Sequence, residues 1–510
     1  QAGAEMTTGI RNTLVGTYAG DALAGGSHNV AIGTYALSTE DTHGKNVAIG
    51  YSALIVQDAG ADAYNVAVGY NAGQAVSTGV RNVIVGGSAG DAITTGANNT
   101  AIGHEALGGE DTGSKNTAVG AYALQDANYD GDGHNTAVGY VAGAEITTAR
   151  YNTILGSLAG DALTTGAENV AVGYGALGQE DGNGKNVAVG MNTLTAQNAG
   201  AEAYNTAVGW DTGKAVTSGV KNTLIGAAAG DALTTGSNNV AIGEEALSTE
   251  DTGGKNTAIG GNALKYLDAG ADGYNVAVGY DAGLAFTTGV QNTVIGTYAG
   301  DALTTGGDNV VMGYLALTTA NTTEAKNVAI GSYSLNAMDN GSTANTYNTA
   351  VGYYSGVAVT TGIQNTIIGG LAGDAITTGG NNIVIGYNAA ASAVDVDNEI
   401  TLGDANISAF RCADQSIAAL SDGRDKSEVE ESPYGLEFIN KLKPVKFTWD
   451  FRPEHMSEAK QGKSRVGFIA QDLQEAMPNN DNDVLDLVYE ISENRLEAKY
   501  GNLIPVMAKA

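Results

Sequence analysis

The chain has 510 residues, with 55 acidic and 24 basic side chains and a net charge of −31. This charge argues against nucleic-acid binding, which needs a basic surface, and favours solubility and repulsion between particles. Cys412 is the single cysteine, so no disulfide forms within the chain. No segment reaches the ~18 consecutive apolar residues of a membrane-spanning helix, and no signal-peptide pattern follows Gln1.

The composition changes near residue 404. All five prolines lie after residue 409, and residues 404–510 hold 19 acidic and 13 basic side chains. The first 403 residues contain 69 of the 74 glycines and few charges. We therefore predict a repeat region over residues 1–403, a strand-rich lead-in over 404–420 and a small α+β domain over 421–510.

An Asn-x-x-x-Gly unit, usually with Thr or Val after the Asn, recurs 22 times between Asn12 and Asn382. Up to Asn309, successive Asn positions are 17 apart, except that every fourth step is 19. The next two steps are 18 and 21, and the spacing then returns to 17. The whole pattern therefore repeats every four units, as at Asn12, Asn82 and Asn152. A fixed short period predicts a solenoid in which neighbouring coils supply each other's core. The fold class predicted for this region is an all-β parallel β-solenoid, or β-roll, of about 22 coils.

The composition of one coil predicts two strands of about four or five residues joined by two turns. The β-branched run after each Asn is the first strand, and its aliphatic residue before Gly is expected to face inward. Stacked Asn side chains are expected to form amide ladders, and Gly to allow a bend where a Cβ would clash. The residues predicted to stack inside are Ile32, Ile49, Val68 and Val85.

Units such as NTLVG and NVIVG are apolar on both faces of the strand. A strand buried on both faces needs a second covering layer, which predicts contact with another chain and favours a homotrimer. The coil also resembles the head repeats of trimeric autotransporter adhesins, which are trimeric parallel β-rolls.

The coils vary little in length, and even the longest, between Asn327 and Asn348, exceeds the others only slightly. The repeat region therefore has no insert large enough for a polysaccharide-cleaving site. We expect no substrate turnover, no cofactor and no metal there. The five histidines are interpreted as polar loop residues.

Two acidic patterns in the repeat region have features of cation sites. Asp126, Asn128 and Asp130 match the start of a calcium loop, but Ala137 stands at its twelfth position. An Asp also recurs after Ala-Gly and is interpreted as a solvated turn or cap, with a cation or receptor row as the alternative. It stands at Asp21, Asp91, Asp161, Asp231, Asp301 and Asp374.

Residues 421–510 contain the motifs SDGRDK, GLEFINKLKPVKFTW, GFIAQDLQEAMP and YGNLIPVMAKA. In this order they resemble the endosialidase-type intramolecular chaperone domain, a self-cleaving serine peptidase family at the ends of phage tail fibres and tail spikes. The resemblance implies that Ser421 is a nucleophile and Lys426 its base, since a buried lysine can lose its proton. Asp425 and the acidic residues after Lys426 are expected to slow cleavage. The family's long C-terminal helices are expected to be missing.

These features together predict a homotrimeric phage tail fibre that attaches to a host surface. Its C-terminal domain would align the three chains and cleave itself off once, so that any enzyme activity is single-turnover. The expected partners are two further copies of the chain, a glycan or protein receptor, and a virion contact through an N-terminal part not included in this sequence. Neither nucleic acid nor membrane insertion is expected. The expected location is the virion; the alternative is an extracellular filament or adhesin on a bacterial surface.

Overall fold

The computed structural model describes residues 1–319, 325–341, 345–411, 422–450, 462–477, 482–492 and 495–510. The chain divides into two compact units, Gln1–Tyr347 and Asn348–Ala510. None of the helices in the described ranges has the length and apolar character of a membrane span.

The predicted parallel β-solenoid of about 22 turns is confirmed. Each of its strands has three residues, and consecutive strands within a unit pair in parallel, as Val30 does with Val47 and Ile32 with Ile49. The first unit contains β1 (Thr13–Val15), β2 (Val30–Ile32), β3 (Val47–Ile49), β4 (Val66–Val68), β5 (Val83–Val85), β6 (Thr100–Ile102), β7 (Thr117–Val119), β8 (Thr136–Val138), β9 (Thr153–Leu155), β10 (Val170–Val172), β11 (Val187–Val189), β12 (Thr206–Val208), β13 (Thr223–Ile225), β14 (Val240–Ile242), β15 (Thr257–Ile259), β16 (Val276–Val278), β17 (Thr293–Ile295), β18 (Val310–Met312) and β19 (Val328–Ile330). The second unit contains β20 (Thr349–Val351), β21 (Thr366–Ile368), β22 (Ile383–Ile385) and β23 (Ile400–Leu402).

The prediction of two strands per coil is wrong, because the second apolar run folds as a turn. Ala36 and Leu37 are consecutive, yet both are fully buried. In a strand one of them would point outward. Leu37 has φ 50°, in the left-handed region, and this conformation lets two neighbouring side chains enter the interior together. Within the described part of the solenoid, each turn has one strand, the three-residue run after its Asn or, in the last turn, after Glu399.

The prediction of which strand residue faces inward is also wrong. From β2 to β22 the central side chain is buried, whereas the first and third side chains remain partly or largely exposed. The interior is narrow, and the leucines of the turns already fill much of it, so the central position is often Ala, as in Ala31 and Ala48. The residues that were predicted inward are third in their strands and lie on the outer face: Ile32, Ile49, Val68 and Val85.

The recurrent Gly has the predicted role. Gly33 has φ 136°, and a Cβ added there would lie 2.3 Å from the carbonyl oxygen of Gly50, one turn further on. Gly50 stands in the same relation to Gly69, at 2.1 Å. A column of glycines therefore lets consecutive turns approach closely at the end of each strand.

The recurrent Asn links its turn to the following turn through its side chain and to the preceding turn through its backbone N–H. The Oδ1 atom of Asn82 accepts the backbone N–H of Asn99 at 2.9 Å, and its Nδ2 atom donates to the carbonyl oxygen of Gly96 at 2.8 Å. The backbone N–H of Asn82 donates to Oδ1 of Asn65 at 2.8 Å. The Asn side chains are stacked as predicted. These three bonds join side chain to backbone, and at some turns neighbouring Asn amides also bond to each other, as where Nδ2 of Asn116 donates to Oδ1 of Asn99 at 3.2 Å.

A charged residue recurs inside the solenoid at intervals of four turns. Six positions before the Asn, most of the shorter turns place an aliphatic side chain such as Leu23 or Ile93. Every fourth turn instead places a fully buried glutamate, at Glu40, Glu110, Glu180 and Glu250. The Oε1 atom of Glu110 accepts the backbone N–H of Gly113 at 2.6 Å, but its Oε2 atom has no hydrogen-bond partner. Burial raises the pKa of both Glu110 and Glu180 to about 7.

The second unit also contains a small α+β domain, as predicted. Residues 404–411 of the predicted lead-in contain no strand, and residues 412–420 lie outside the described residues. The domain's elements are α1 (Leu436–Ile439), β24 (Val445–Thr448), β25 (Ser464–Gly467), α2 (Ala470–Ala476), α3 (Asn482–Leu485), β26 (Val488–Ser492), β27 (Arg495–Ala498) and α4 (Leu503–Lys509). Strands β24 and β25 pair antiparallel, as do β26 and β27. The core includes Tyr434, Phe438, Leu473, Met477, Leu485, Leu487, Val488, Leu503 and Val506.

We predict that Asn82→Ala destabilises the first unit by about 2 to 4 kcal/mol, because it removes the partners of two buried backbone groups. Amide hydrogen exchange should accelerate at Asn99, whose N–H loses its acceptor. Thr95→Ala, at an exposed turn position, is the control and should leave exchange at Asn99 unchanged. Unchanged protection of Asn99 in Asn82→Ala would contradict the ladder.

We also predict that stability falls as the pH rises from about 4.5 to about 7. The pKa of Glu110 and of Glu180 is near 4.5 in the unfolded chain and about 7 when folded, so the folded chain binds more protons in this window. Each glutamate then costs on the order of 3 kcal/mol above about pH 7. The double variant Glu110→Gln/Glu180→Gln should melt at higher temperature than the parent in mildly alkaline buffer, while exposed Glu244→Gln should not. Identical melting of parent and double variant in that buffer would refute this role.

Candidate functional site

The outer face of the strands is an extended apolar surface. In most strands the third residue is Ile, Val or Leu, and side chains such as Leu155 and Ile225 are 48% and 38% exposed. The first residue is usually Thr or Val, so the face carries almost no charge. Within a single chain, nothing in the described ranges covers this face. We call the first and third side chains of the solenoid strands the outer strand face.

Rows of tyrosines lie one or two residues after the recurrent Gly. Tyr18 and Tyr35 stack with ring centroids 5.2 Å apart, and Tyr51 and Tyr70 stack at 5.4 Å. A second row, in which neighbouring rings meet edge to face, is formed by Tyr280, Tyr298, Tyr314 and Tyr333. Exposed aromatic rings at a regular spacing offer flat contact surfaces for sugars or for another chain.

The recurrent Asp after Ala-Gly is half-buried, and the Oδ1 atoms of Asp21, Asp231 and Asp301 are buried without a hydrogen-bond partner. Burial raises the pKa of Asp91, and backbone hydrogen bonds from Asp91 itself and from Ala92 act in the opposite direction. Asp161 has the same arrangement, and burial raises the pKa of Asp301 to about 6. The interpretation of these carboxylates as turn caps stays a prediction.

Stacking of turns brings together acidic and histidine side chains that the sequence did not predict to form one group. Ligand atoms of Glu40, Asp41, His43 and Asp58 all lie within 4.8 Å of one another. A second group of this kind consists of Glu250, Asp251 and Asp268. The spacing of the repeat could have predicted this group. Position 58 lies about one turn after position 40, so stacking of successive turns places these two residues next to each other.

The predicted base, Lys426, follows a tight turn in the C-terminal domain. Residues Gly423–Asp425 form one 3-10 turn, capped by the Asp422 side chain, which accepts the backbone N–H of Arg424 at 3.0 Å. The Arg424 guanidinium beside Asp422 lowers the pKa of that carboxyl. Lys426 ends the turn with an exposed side chain, and Ser421 lies outside the described residues. The proposed pairing of Ser421 with Lys426 therefore stays a prediction.

Several large apolar side chains of the C-terminal domain are exposed. Helix α4 buries Leu503 and Val506 in the core, while Ile504 and Met507 on its other side are 67% and 63% exposed. Elsewhere in the domain the largely exposed apolar side chains include Val429, Leu436, Val466 and Val484. A small domain with apolar residues on both sides of a helix presents a surface suited to association.

Comparison with known proteins gives one match. The family model described as Chaperone of endosialidase matches residues 421–482. No curated protein and no solved structure matches the chain. The similarity therefore covers the turn between positions 421 and 426, helices α1 and α2 and strands β24 and β25. The chain combines a parallel β-solenoid with a C-terminal segment similar to the endosialidase chaperone.

Proposed function

We propose that the chain is the shaft and chaperone of a homotrimeric phage tail fibre that attaches to a host surface. The observation that carries this proposal is the outer strand face, an apolar face that runs from turn to turn and that a single chain leaves uncovered. A solenoid followed by a chaperone-like segment fits a fibre-like protein, and burial of this face between chains supplies the driving force for its assembly.

Three-fold association suits this geometry. Each chain offers one outer strand face, and three such faces meeting around an axis parallel to the solenoid bury one another with the same residues in every chain. The tyrosine rows then lie at or beside the contact. Tyrosines that remain exposed after assembly are our proposed contacts for a glycan or protein receptor on the host.

The C-terminal domain is proposed to set the register of the three chains. A displacement by four turns places Asn12 beside Asn82 and repeats the same chemistry along most of the solenoid, so slipped trimers differ little in energy from the correct one. Long parallel assembly is slow and exposes strand edges. A domain that associates first through its exposed apolar side chains aligns the ends and removes these alternatives.

The same domain is proposed to cleave the chain once, at the peptide bond beside Ser421. The Ser421 hydroxyl attacks the carbonyl carbon of the preceding residue while Lys426 accepts the hydroxyl proton. The C–N bond then breaks, Lys426 returns the proton to the leaving amine, and water hydrolyses the resulting ester to leave a new carboxyl end. A lysine base requires a desolvated amine, and the Lys426 side chain is exposed in the single chain. Cleavage therefore waits until trimerisation buries this loop.

Light scattering on the intact protein is predicted to give about three times the chain mass of 51.4 kDa. The double variant Leu155→Glu/Ile225→Glu, which places charges on the outer strand face, should shift the protein toward monomer. Thr235→Glu, at an exposed turn position, is the control and should stay trimeric. A parent protein that is a stable, folded monomer would rule out the proposal.

Self-cleavage is predicted to depend on Ser421 and Lys426. On a denaturing gel the assembled parent should show two bands, whereas Ser421→Ala and Lys426→Ala should each show one full-length band. Ser427→Ala, in the same exposed loop, should cleave like the parent. If the parent trimer stays a single band after long incubation, the peptidase role fails and the chaperone role remains to be tested by refolding without residues 421–510.

A further inference from the structure

The group formed by Glu40, Asp41, His43 and Asp58 differs from an ordinary acidic surface patch in its composition. It combines three carboxylates with one imidazole, and ligand atoms of all four lie within 4.8 Å of one another. Among the described residues, none of these carboxylates forms an ion pair with a lysine or arginine; the nearby Lys45 pairs with Asp62 at 2.7 Å. Within the described residues, no lysine or arginine therefore neutralises this negative charge; the basic group beside Glu40 is the His43 imidazole, whose Nδ1 atom lies 3.8 Å from Oε1 of Glu40.

Glu40 has one carboxylate oxygen without a hydrogen-bond partner, as Glu110 and Glu180 also do, but at Glu40 this oxygen belongs to a group that includes an imidazole. Glu40 is fully buried, and its Oε1 atom accepts the backbone N–H of His43 at 3.2 Å. Its Oε2 atom is buried without any hydrogen-bond partner. A buried carboxylate oxygen without a hydrogen-bond partner raises the free energy of the folded chain. A bound cation or a proton removes this cost.

The three following four-turn repeats hold parts of the same arrangement but not all of it. The glutamate and the following Asp recur in each of them, whereas the imidazole and the carboxylate from the next turn occur together only in the first repeat. The residues at the positions of His43 and Asp58 are Gly113 and Asn128, Asn183 and Asn198, and Gly253 and Asp268.

From this geometry we propose that Glu40, Asp41, His43 and Asp58 form a zinc-class site, binding one divalent transition-metal ion per chain. Imidazole favours zinc and its neighbours over calcium and magnesium, which prefer all-oxygen sites. Bound zinc needs ligand atoms about 2.0–2.2 Å from the metal, so the group must contract slightly. The exposed carboxylates of Asp41 and Asp58 are able to do so, and Thr42 Oγ1 already orients Asp41 by donating to its Oδ1 atom at 2.8 Å.

The site joins two turns of the solenoid. Glu40, Asp41 and His43 belong to one turn, whereas Asp58 comes from the next. A metal held by all four ligands acts as a cross-link between turns and stabilises the folded chain in proportion to its occupancy. The residues lie well before the C-terminal domain, so the proposal is independent of the fibre and chaperone functions.

The test uses the full chain, stripped of metal with a chelator and titrated with ZnCl₂ in a calorimeter. We expect one zinc ion per chain, and a rise in the melting temperature when zinc is added. His43→Ala and Asp58→Asn should each weaken zinc binding about tenfold or more. His104→Ala, which removes an exposed histidine 3.8 Å from a carboxylate oxygen of Glu105, is the matched control and should bind zinc like the parent.

Melting curves in chelator separate loss of a ligand from loss of the fold. His43→Ala and Asp58→Asn should melt like the parent without zinc and should lose the zinc-dependent rise. Absorption of Co²⁺ in place of zinc should report a nitrogen ligand that disappears in His43→Ala. The proposal is overturned if the parent binds no zinc, if His43→Ala binds it as tightly as the parent, or if Ca²⁺ binds as tightly as Zn²⁺.

Discussion

The rest of the solenoid depends on hydrogen bonds that each turn makes to its neighbours. The Asn82 side chain satisfies the N–H of Asn99 and the carbonyl of Gly96, and both groups belong to later residues of the chain. A single turn has a three-residue strand and a few buried Ala and Leu side chains, too little to offset the entropy lost when the whole turn is ordered. Stability is therefore a property of the stack, and any turn that lacks a neighbour leaves buried polar groups without partners.

The narrow interior determines what the outside must be. Close approach of turns at the glycine column and small central residues such as Ala31 leave little room within, and the turn leucines occupy it. The large β-branched residues that make the strand extend are therefore placed on the outer strand face. The β-branched residues that favour the strand in each turn thus also form the apolar surface that we propose is buried in the trimer.

The sequence predicted the existence of the solenoid but not the interior of a turn. The regular spacing of the Asn units is a direct signal for stacking, and the roles of Asn and Gly follow from their chemistry. The inward residue was mispredicted because the aliphatic residue before Gly was assigned to the interior, whereas turn residues such as Leu37, in the left-handed region, already occupy that interior. Contacts between turns, such as that of Asp58 with Glu40, were not predicted because they depend on how successive turns stack. The Ser421 and Lys426 assignment came only from family resemblance, because no residue pattern in an exposed loop identifies a catalytic pair.

The four-turn period makes a register slip costly within one chain but not between chains. Within one chain, the longer turn and the buried glutamate mark every fourth turn, so a slip by one turn would place Glu110 where an aliphatic side chain packs. Between chains, a slip by four turns places each glutamate turn beside another and incurs no such penalty. The longer turn and the buried glutamate therefore disfavour slips within one chain. They do not distinguish assemblies in which two chains are displaced by four turns. Non-repeating segments distinguish these registers. The chain has such segments in the turns after Asn309, where the Asn steps are 18 and 21, and in the C-terminal domain, for which we propose this role.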